Sequence, residues 1–272
     1  MKKFLEIEPE HSSYQSSKFV IIPCPYEKTT SYGKGTKDGP AAILAASQHV
    51  ENFDEERGLE TYRQVGITTL KPVLNNQLHI TVERCLQDKK IPIIIGGEHS
   101  LTPLAVKAIK GSVRELSVLQ LDAHADLRDT YQGKKNSHAC VMRRILEICP
   151  AVQVGIRSIS LEEWKWAEKN GQLAKIHYAN KIGNYLEQLS QNVYITIDAD
   201  VFDPAAVPAV GTPEPGGLLW PEVISILKDV CAKKNVVGLD VVELSPRRDE
   251  LASPFTLAKL IYKVIGFLSS NQ

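Results

Sequence analysis

The stretch QLDAHADLRD (residues 120–129) closes the apolar run SVLQL (117–121) with two aspartates and a histidine at every second position. In an extended chain, Asp122, His124 and Asp126 point to one side. Two carboxylates and an imidazole meeting there repel one another unless a cation lies between them, so the spacing predicts metal chemistry. The i, i+2 spacing recurs in ITIDADVFDP (195–204), with Asp198 and Asp200, and His99 follows a third apolar run in IPIIIGGEHS (91–100). Asp203, before Pro204, reads as a turn residue. Alone, His99 reads as a hydrogen-bonded structural histidine, whereas the apolar strand before DAHAD argues against its being a solvated loop. Together they offer two imidazoles and four carboxylates. Hard oxygen donors with a minority of imidazole suit Mn²⁺ better than zinc, which favours fewer ligands and often sulfur. Six ligands are too many for one catalytic ion with an open position. They fit two ions sharing carboxylates, with water or hydroxide between them. Four carboxylates roughly neutralise two divalent ions, and a bridging hydroxide leaves the site slightly negative, suited to a cationic substrate.

Two further residues fall at the same kind of position. His138, in KKNSHAC, is either a surface-loop histidine or a proton shuttle working near neutral pH. Glu243, in GLDVVELSP, is either a turn partner or an anchor for a substrate, because a carboxylate matches a guanidinium fork bidentately.

The elements that must hold these residues are legible as hydropathy. KFVIIPCP (18–25), IPIII (91–95), LSVLQL (116–121), VQVGI (152–156), AKIHYA (174–179), VYITI (193–197) and NVVGLDVV (235–242) read as strands apolar on both faces. Such strands belong to a mainly parallel sheet covered by helices on each side. Helical patterns lie between them at 39–53, 75–89, 100–110, 139–149, 160–170, 181–190, 221–234 and 254–269, several opened by proline, as at Gly39-Pro40, Trp220-Pro221 and Ser253-Pro254. The expectation is an α/β fold, a doubly wound three-layer α/β/α arrangement over residues 1–272 without an interdomain linker. Ligands in such sheets bind beyond the carboxyl ends of the strands. Every polar cluster above falls there.

Composition narrows the function classes. Lys+Arg and Asp+Glu balance at 32 each, which argues against nucleic acid as a partner. No stretch approaches ~18 apolar residues, so no membrane span or membrane partner is expected. MKKFLEIEPEH has no apolar run of signal-peptide length. The five cysteines (24, 85, 140, 149, 231) lack CxxC spacing and read as reduced thiols of a cytoplasmic protein.

The motifs GGEHS, DAHAD, SHA, IDADVFDP and DVVELSP, in this order, resemble those of the ureohydrolase (arginase/agmatinase) family. The likeness extends to SYGKGTKDGPAAI (31–43), GIRS (155–158) and GTPEPGGL (211–218), and so covers nearly the whole chain. It implies an arginase-like fold, two Mn²⁺ ions per subunit and hydrolysis of a guanidinium compound to urea and an amine. By resemblance His99, Asp122, Asp126 and Asp198 hold one ion, and Asp122, His124, Asp198 and Asp200 the other. The family's acid/base residue is similar to His138, Asp126 handles the hydroxide proton, and Glu243 orients the guanidinium. A homo-oligomer, trimer or hexamer, is also implied.

The substrate is less sharply marked. Arginases carry an asparagine two residues beyond the last aspartate of their DAHxD motif, and here that position is Arg128, as in agmatinases. Agmatine, which has no carboxylate and yields putrescine for polyamine biosynthesis, is therefore the leading substrate. Thr212 and Glu214 are candidates to face its far amine, although Glu214 equally suits a cap on a proline-rich turn. Arg128 permits a rival, a carboxylate-bearing guanidine such as guanidinobutyrate, with Asp129 beside it as a neutralising partner. Aminopropylagmatine fits an open pocket equally well. SHACV replaces the SHGTP of many agmatinases, so Ala139 and Cys140 alter what borders His138. A binuclear phosphohydrolase would need cationic groups for phosphate, and a noncatalytic homologue would have lost ligands. Neither pattern is present.

Overall fold

The computed structural model describes residues 2–270. Its strands are β1 (Phe19–Cys24), β2 (Phe53–Asp54), β3 (Leu59–Glu60), β4 (Ile67–Thr69), β5 (Ile91–Gly96), β6 (Leu116–Leu121), β7 (Ala151–Ile156), β8 (Ile176–Tyr178), β9 (Asn192–Asp198) and β10 (Asn235–Val242). The helices are α1 (Pro9–Ser12), α2 (Gly39–Ser47), α3 (Thr61–Val65), α4 (Asn75–Gln87), α5 (Thr102–Ser112), α6 (Val141–Leu146), α7 (Leu161–Lys169), α8 (Trp220–Lys233) and α9 (Ala252–Ser269). Eight strands form one sheet in the order β4-β1-β5-β10-β9-β6-β7-β8, every pair parallel, while β2 and β3 form a small antiparallel ribbon.

The continuous apolar runs explain this architecture. Along β1 and β5, Ile21, Ile93 and Ile95 pack with α2, α8 and α9, whereas Val20, Ile22 and Ile94 pack with α4, α5, α6 and α7. A strand with alternate residues in two separate cores must be covered on both faces, which a parallel sheet with crossover helices provides. Each fully buried Ile or Leu contributes about 1.5–3 kcal/mol. The sheet is thereby a rigid platform for the loops at its carboxyl edge.

One expectation needs correction, and one strand of the sheet was not anticipated. Residues 181–190 do not form a helix; they run as an irregular segment with one 3₁₀ turn, Leu186–Gln188. The Gly183 backbone N–H donates to His177 Nδ1 at 3.1 Å, and this tertiary bond fixes the segment outside a helical path. The edge strand β4 is absent from the sequence reading because three residues carry too little pattern. It is held by its register with β1, Phe19 opposite Ile67 through Ile21 opposite Thr69.

Candidate metal centre

The order β5-β10-β9-β6 places four strand ends side by side, and each delivers part of the site. His99 follows β5, Asp122, His124 and Asp126 follow β6, Asp198 and Asp200 close β9, and Glu243 follows β10. The first turn depends on Gly97. A Cβ there would lie 2.0 Å from the Tyr26 carbonyl oxygen, so only glycine lets the turn after β5 pass under residue 26.

The DAHAD side chains do not converge through strand alternation, as the spacing had suggested. Strand β6 stops at Leu121, and Asp126 has φ +52°, in the left-handed region. The chain turns because Asp122 Oδ1 accepts the His124 backbone N–H at 2.6 Å, and Ala125 N–H donates to Ser158 at 3.0 Å. The second pair repeats the device, with Asp198 Oδ1 accepting the Asp200 N–H at 2.9 Å. The i, i+2 signal was real, and its physical origin is a carboxylate-capped turn.

Three carboxylate oxygens, Oδ2 of Asp122, Asp126 and Asp198, each lie 3.3 Å from His99 Nδ1. The tautomer follows from the far side of the ring. Thr196 donates its one hydroxyl proton to Asp240 Oδ1 at 2.5 Å, so it must accept from His99 Nε2, 2.8 Å away. Nε2 thus carries a proton, and Nδ1, a buried atom without a hydrogen-bond partner, is the ring atom that faces the three carboxylates. Against the effect of burial, they raise the imidazole well above its usual pKa, so a cation bound there would replace the Nδ1 proton and take up its lone pair. Tyr194 and Thr102 hydroxyls hold Asp240 in turn, at 2.7 and 2.9 Å. Beside this group, His124 Nδ1 lies 2.9 Å from Asp200 Oδ2 and 3.7 Å from Asp122 Oδ1. Ligand atoms of His99, Asp122 and Asp126, and likewise of Asp122, His124 and Asp200, fall within 4.8 Å of one another, so two ion-sized sites share Asp122. An imidazole nitrogen and several carboxylates facing one point fit divalent cations.

Charge crowding leaves its mark on protonation. Burial, then the charges of Asp200 and Asp126, push the Asp122 carboxyl up to about 7. Asp198 is raised well above the usual range by burial and by Asp200 and Asp122. Burial opposes ionisation of Asp200, but the adjacent His124 outweighs it and lowers that carboxyl. Crowding of this kind is relieved by positive charge placed among the carboxylates.

Around the cluster, Glu243 Oε1 accepts the His99 backbone N–H at 2.6 Å, and burial pushes its carboxyl up to about 8. Glu243 has φ +63°, a conformation that costs a non-glycine residue of order 1–3 kcal/mol. His138 Nδ1 is 3.2 Å from Thr29 Oγ1, Nε2 is 3.4 Å from Ser31 Oγ, and burial lowers its pKa. It is neither a surface histidine nor part of the six-residue cluster; it stands at the wall of the same cavity, of about 190 Å³. Thr212 and Ala139 also line that cavity, whereas Cys140 is buried behind it with Sγ 3.7 Å from the Lys134 carbonyl. Glu214 approaches from the side, Oε1 3.8 Å from His124 Nε2. Asp203 is structural, accepting N–H groups of Ala205, Gly216 and Gly217 at 2.9–3.0 Å.

Asp129 does not neutralise Arg128. It pairs with Arg144 at 2.7 Å, and Arg128 instead lies over the Tyr131 ring, 5.3 Å from its centroid, with Nε 3.8 Å from Glu163. Glu163 also forms the capping box of α7 with Ser160 and accepts the Leu127 N–H at 2.9 Å, so one carboxylate ties the helix start to the metal loop.

Several working residues were invisible to spacing. Glu98, buried in GGEHS, accepts N–H groups from Lys28 and Thr29 and hydroxyls from Thr29 and Ser100, and so holds the loop that touches His138. Arg157 of GIRS donates to the carbonyls of Asp200 at 2.6 Å and Glu214 at 2.9 Å, fastening one wall of the site to another. Gly33 N–H donates to the Gly211 carbonyl at 3.1 Å, which joins the SYGKG and GTPEPGG loops across the mouth. The motif order itself was the only signal for these.

The family model for the arginase family matches residues 17–266. The chain belongs to the arginase family. It is 39% identical to the N(1)-aminopropylagmatine ureohydrolase of Synechocystis over 100% of this chain and 95% of that protein. It is 35% identical to the agmatinase of Pyrococcus horikoshii over 91% of each chain. The crystal structure of the agmatine ureohydrolase of Thermoplasma volcanium aligns with a TM-score of 0.82 at 31% identity, covering 95% of this chain and 92% of that one. The arginase-family fold and a hydrolase activity on guanidino C–N bonds are thereby given, and the clustered aspartates and histidines are the residues available for the family's metal dependence.

Proposed function

We propose that this enzyme hydrolyses agmatine to urea and putrescine at a pair of Mn²⁺ ions. His99, Asp122, Asp126 and Asp198 would hold one ion, and Asp122, His124, Asp198 and Asp200 the other. When bound, two divalent ions lower the pKa of water enough to supply hydroxide at neutral pH. The chain's own residues do the rest. Glu243 holds the guanidinium by charge-assisted hydrogen bonds and sets the carbon for attack. Asp126, whose backbone is held in the left-handed region, accepts the proton released as the C–O bond forms and passes it toward the departing amine. His138, kept neutral by burial, passes a proton from solvent to the departing amine as the C–N bond breaks. Water is thus divided between urea and putrescine.

The observation that carries this choice of substrate is the position of Arg128. It lines the cavity with its guanidinium over the Tyr131 ring and its Nε 3.8 Å from Glu163 Oε2, so that a carboxylate of the chain already offsets part of its charge. Thr212 at the cavity wall and Glu214, 3.8 Å from His124 Nε2, are the residues we assign to the far amine. A second reading, N(1)-aminopropylagmatine, is favoured by the Synechocystis relative and by the open mouth at Tyr32, whose side chain is largely exposed. Cytoplasmic polyamine synthesis and a trimeric or hexameric assembly belong to the same proposal. Urea release from agmatine, aminopropylagmatine, guanidinobutyrate and arginine at equal concentration tests it. Amine-terminated guanidines should lead by at least tenfold; arginine or guanidinobutyrate in front would refute the reading of Arg128.

A further inference from the structure

Three buried glutamines run in line to the cluster. Gln120 Nε2 donates to Asp122 Oδ2 at 2.6 Å, Gln153 Nε2 donates to Gln120 Oε1 at 2.7 Å, and Gln172 Nε2 donates to Gln153 Oε1 at 3.2 Å. Gln120 and Gln153 are register partners on β6 and β7, and Gln172 stands in the turn before β8. Each is at most 4% exposed. The direction of the chain is forced. A carboxylate that faces cations is an acceptor only, so the Gln120 amide must present its NH₂. Its oxygen then faces Gln153, which must donate, and the same logic orients Gln172.

The consequence falls on Asp122, the carboxylate common to both groups. Its Oδ1 is held by the His124 N–H, and its Oδ2 by Gln120. With one donor on each oxygen the carboxylate cannot rotate, and one oxygen is assigned to each site. The ladder also grips the loop, since Gln153 Nε2 donates to the Ala125 carbonyl at 2.7 Å. Amides that merely filled a polar gap in the core would not need to end on the shared ligand in a single polarity.

We infer that Gln120, Gln153 and Gln172 are positioning residues whose amide ladder locks Asp122 as the bridge between two metal ions. The inference rests on the two-ion reading above. Partners that orient a ligand typically carry about 10–100-fold of metal affinity.

The test compares wild type, Gln153→Leu and Gln153→Glu, none of which alters a residue touching an ion. Mn²⁺ is titrated into the metal-free proteins and followed by electron paramagnetic resonance, which separates spin-coupled from isolated ions. Melting without metal is recorded in parallel. The ladder predicts two ions and a coupled signal in wild type. In Gln153→Leu it predicts a drop of about 10–100-fold for the weaker ion and loss of most of the coupled signal. Gln153→Glu keeps the size but cannot donate twice, and should behave like the leucine variant; it replaces that variant if leucine prevents folding. Wild type binding fewer than two ions would overturn the two-ion reading itself. Wild type binding two, with a folded Gln153 variant unchanged in affinity and coupling, would overturn the ladder alone.

Discussion

Glu243 combines a left-handed backbone conformation with a place at the wall of the cavity. Its bond to the His99 N–H occupies Oε1 and leaves Oε2 as the oxygen available to a ligand. Gln at this position keeps the acceptor for His99 but loses the charge proposed to face a guanidinium. Glu243→Gln should therefore raise KM for agmatine about 10–100-fold, the worth of one charge-assisted hydrogen bond, while Mn²⁺ uptake stays near wild type. Steady-state kinetics with a parallel metal titration checks this, and unchanged KM would remove Glu243 from the substrate. At this scale the sequence was most informative about acids and imidazoles at regular spacing, such as Asp122, His124, Asp198 and Asp200. It was silent about Glu98 and Thr29, whose bond joins residues 69 positions apart. No local pattern encodes such a contact.

Elements place these residues through their ends rather than their interiors. Strands β5, β6, β9 and β10 were legible because their residues are buried on both faces, which produces unbroken apolar runs. What the runs could not reveal was the shape of the turns beyond them. The bend of DAHAD after Leu121 is made by side-chain-to-backbone bonds, and an extended reading reaches the right residues by the wrong geometry. The turn after β5 is stricter. Gly97→Ala forces a methyl against the Tyr26 carbonyl, and with the backbone of β1 and β5 fixed by pairing, the expected cost is about 3 kcal/mol or more in unfolding free energy. Ser160→Ala removes the α7 cap that shares Glu163 with the metal loop, and should cost about 1 kcal/mol. Chemical denaturation of both variants measures these differences; a Gly97→Ala protein as stable as wild type would show that the turn can relax.

For the whole molecule, the cluster of buried acids and imidazoles couples pH to stability. In the metal-free protein Asp122 is raised to about 7, Asp198 is raised further, and Glu243 rises to about 8, each by burial first. A carboxyl whose folded pKa lies above its unfolded value stabilises the fold below pH ~4, and that contribution is lost as pH rises through the folded value. His124, raised to about 11 against the opposing effect of burial by Asp200 and Asp122, acts in the same direction at higher pH. Asp200 is shifted down, so its opposite contribution falls below pH ~4. The metal-free protein should therefore lose stability from this site between pH 5 and 8. Metal binding replaces protons with ions, so the rise in melting temperature on adding Mn²⁺ should grow across the same window. A gain independent of pH would contradict the crowded-carboxylate description.

The central claim is that two ions sharing Asp122 serve one guanidine-hydrolysing site. The most direct measurement is urea release from agmatine as Mn²⁺ is added stepwise to metal-free protein at known concentration. The geometry predicts activity that saturates at two equivalents per chain and is abolished, with the second equivalent, in Asp122→Asn. Full activity at one equivalent, or an active Asp122→Asn enzyme, would contradict it.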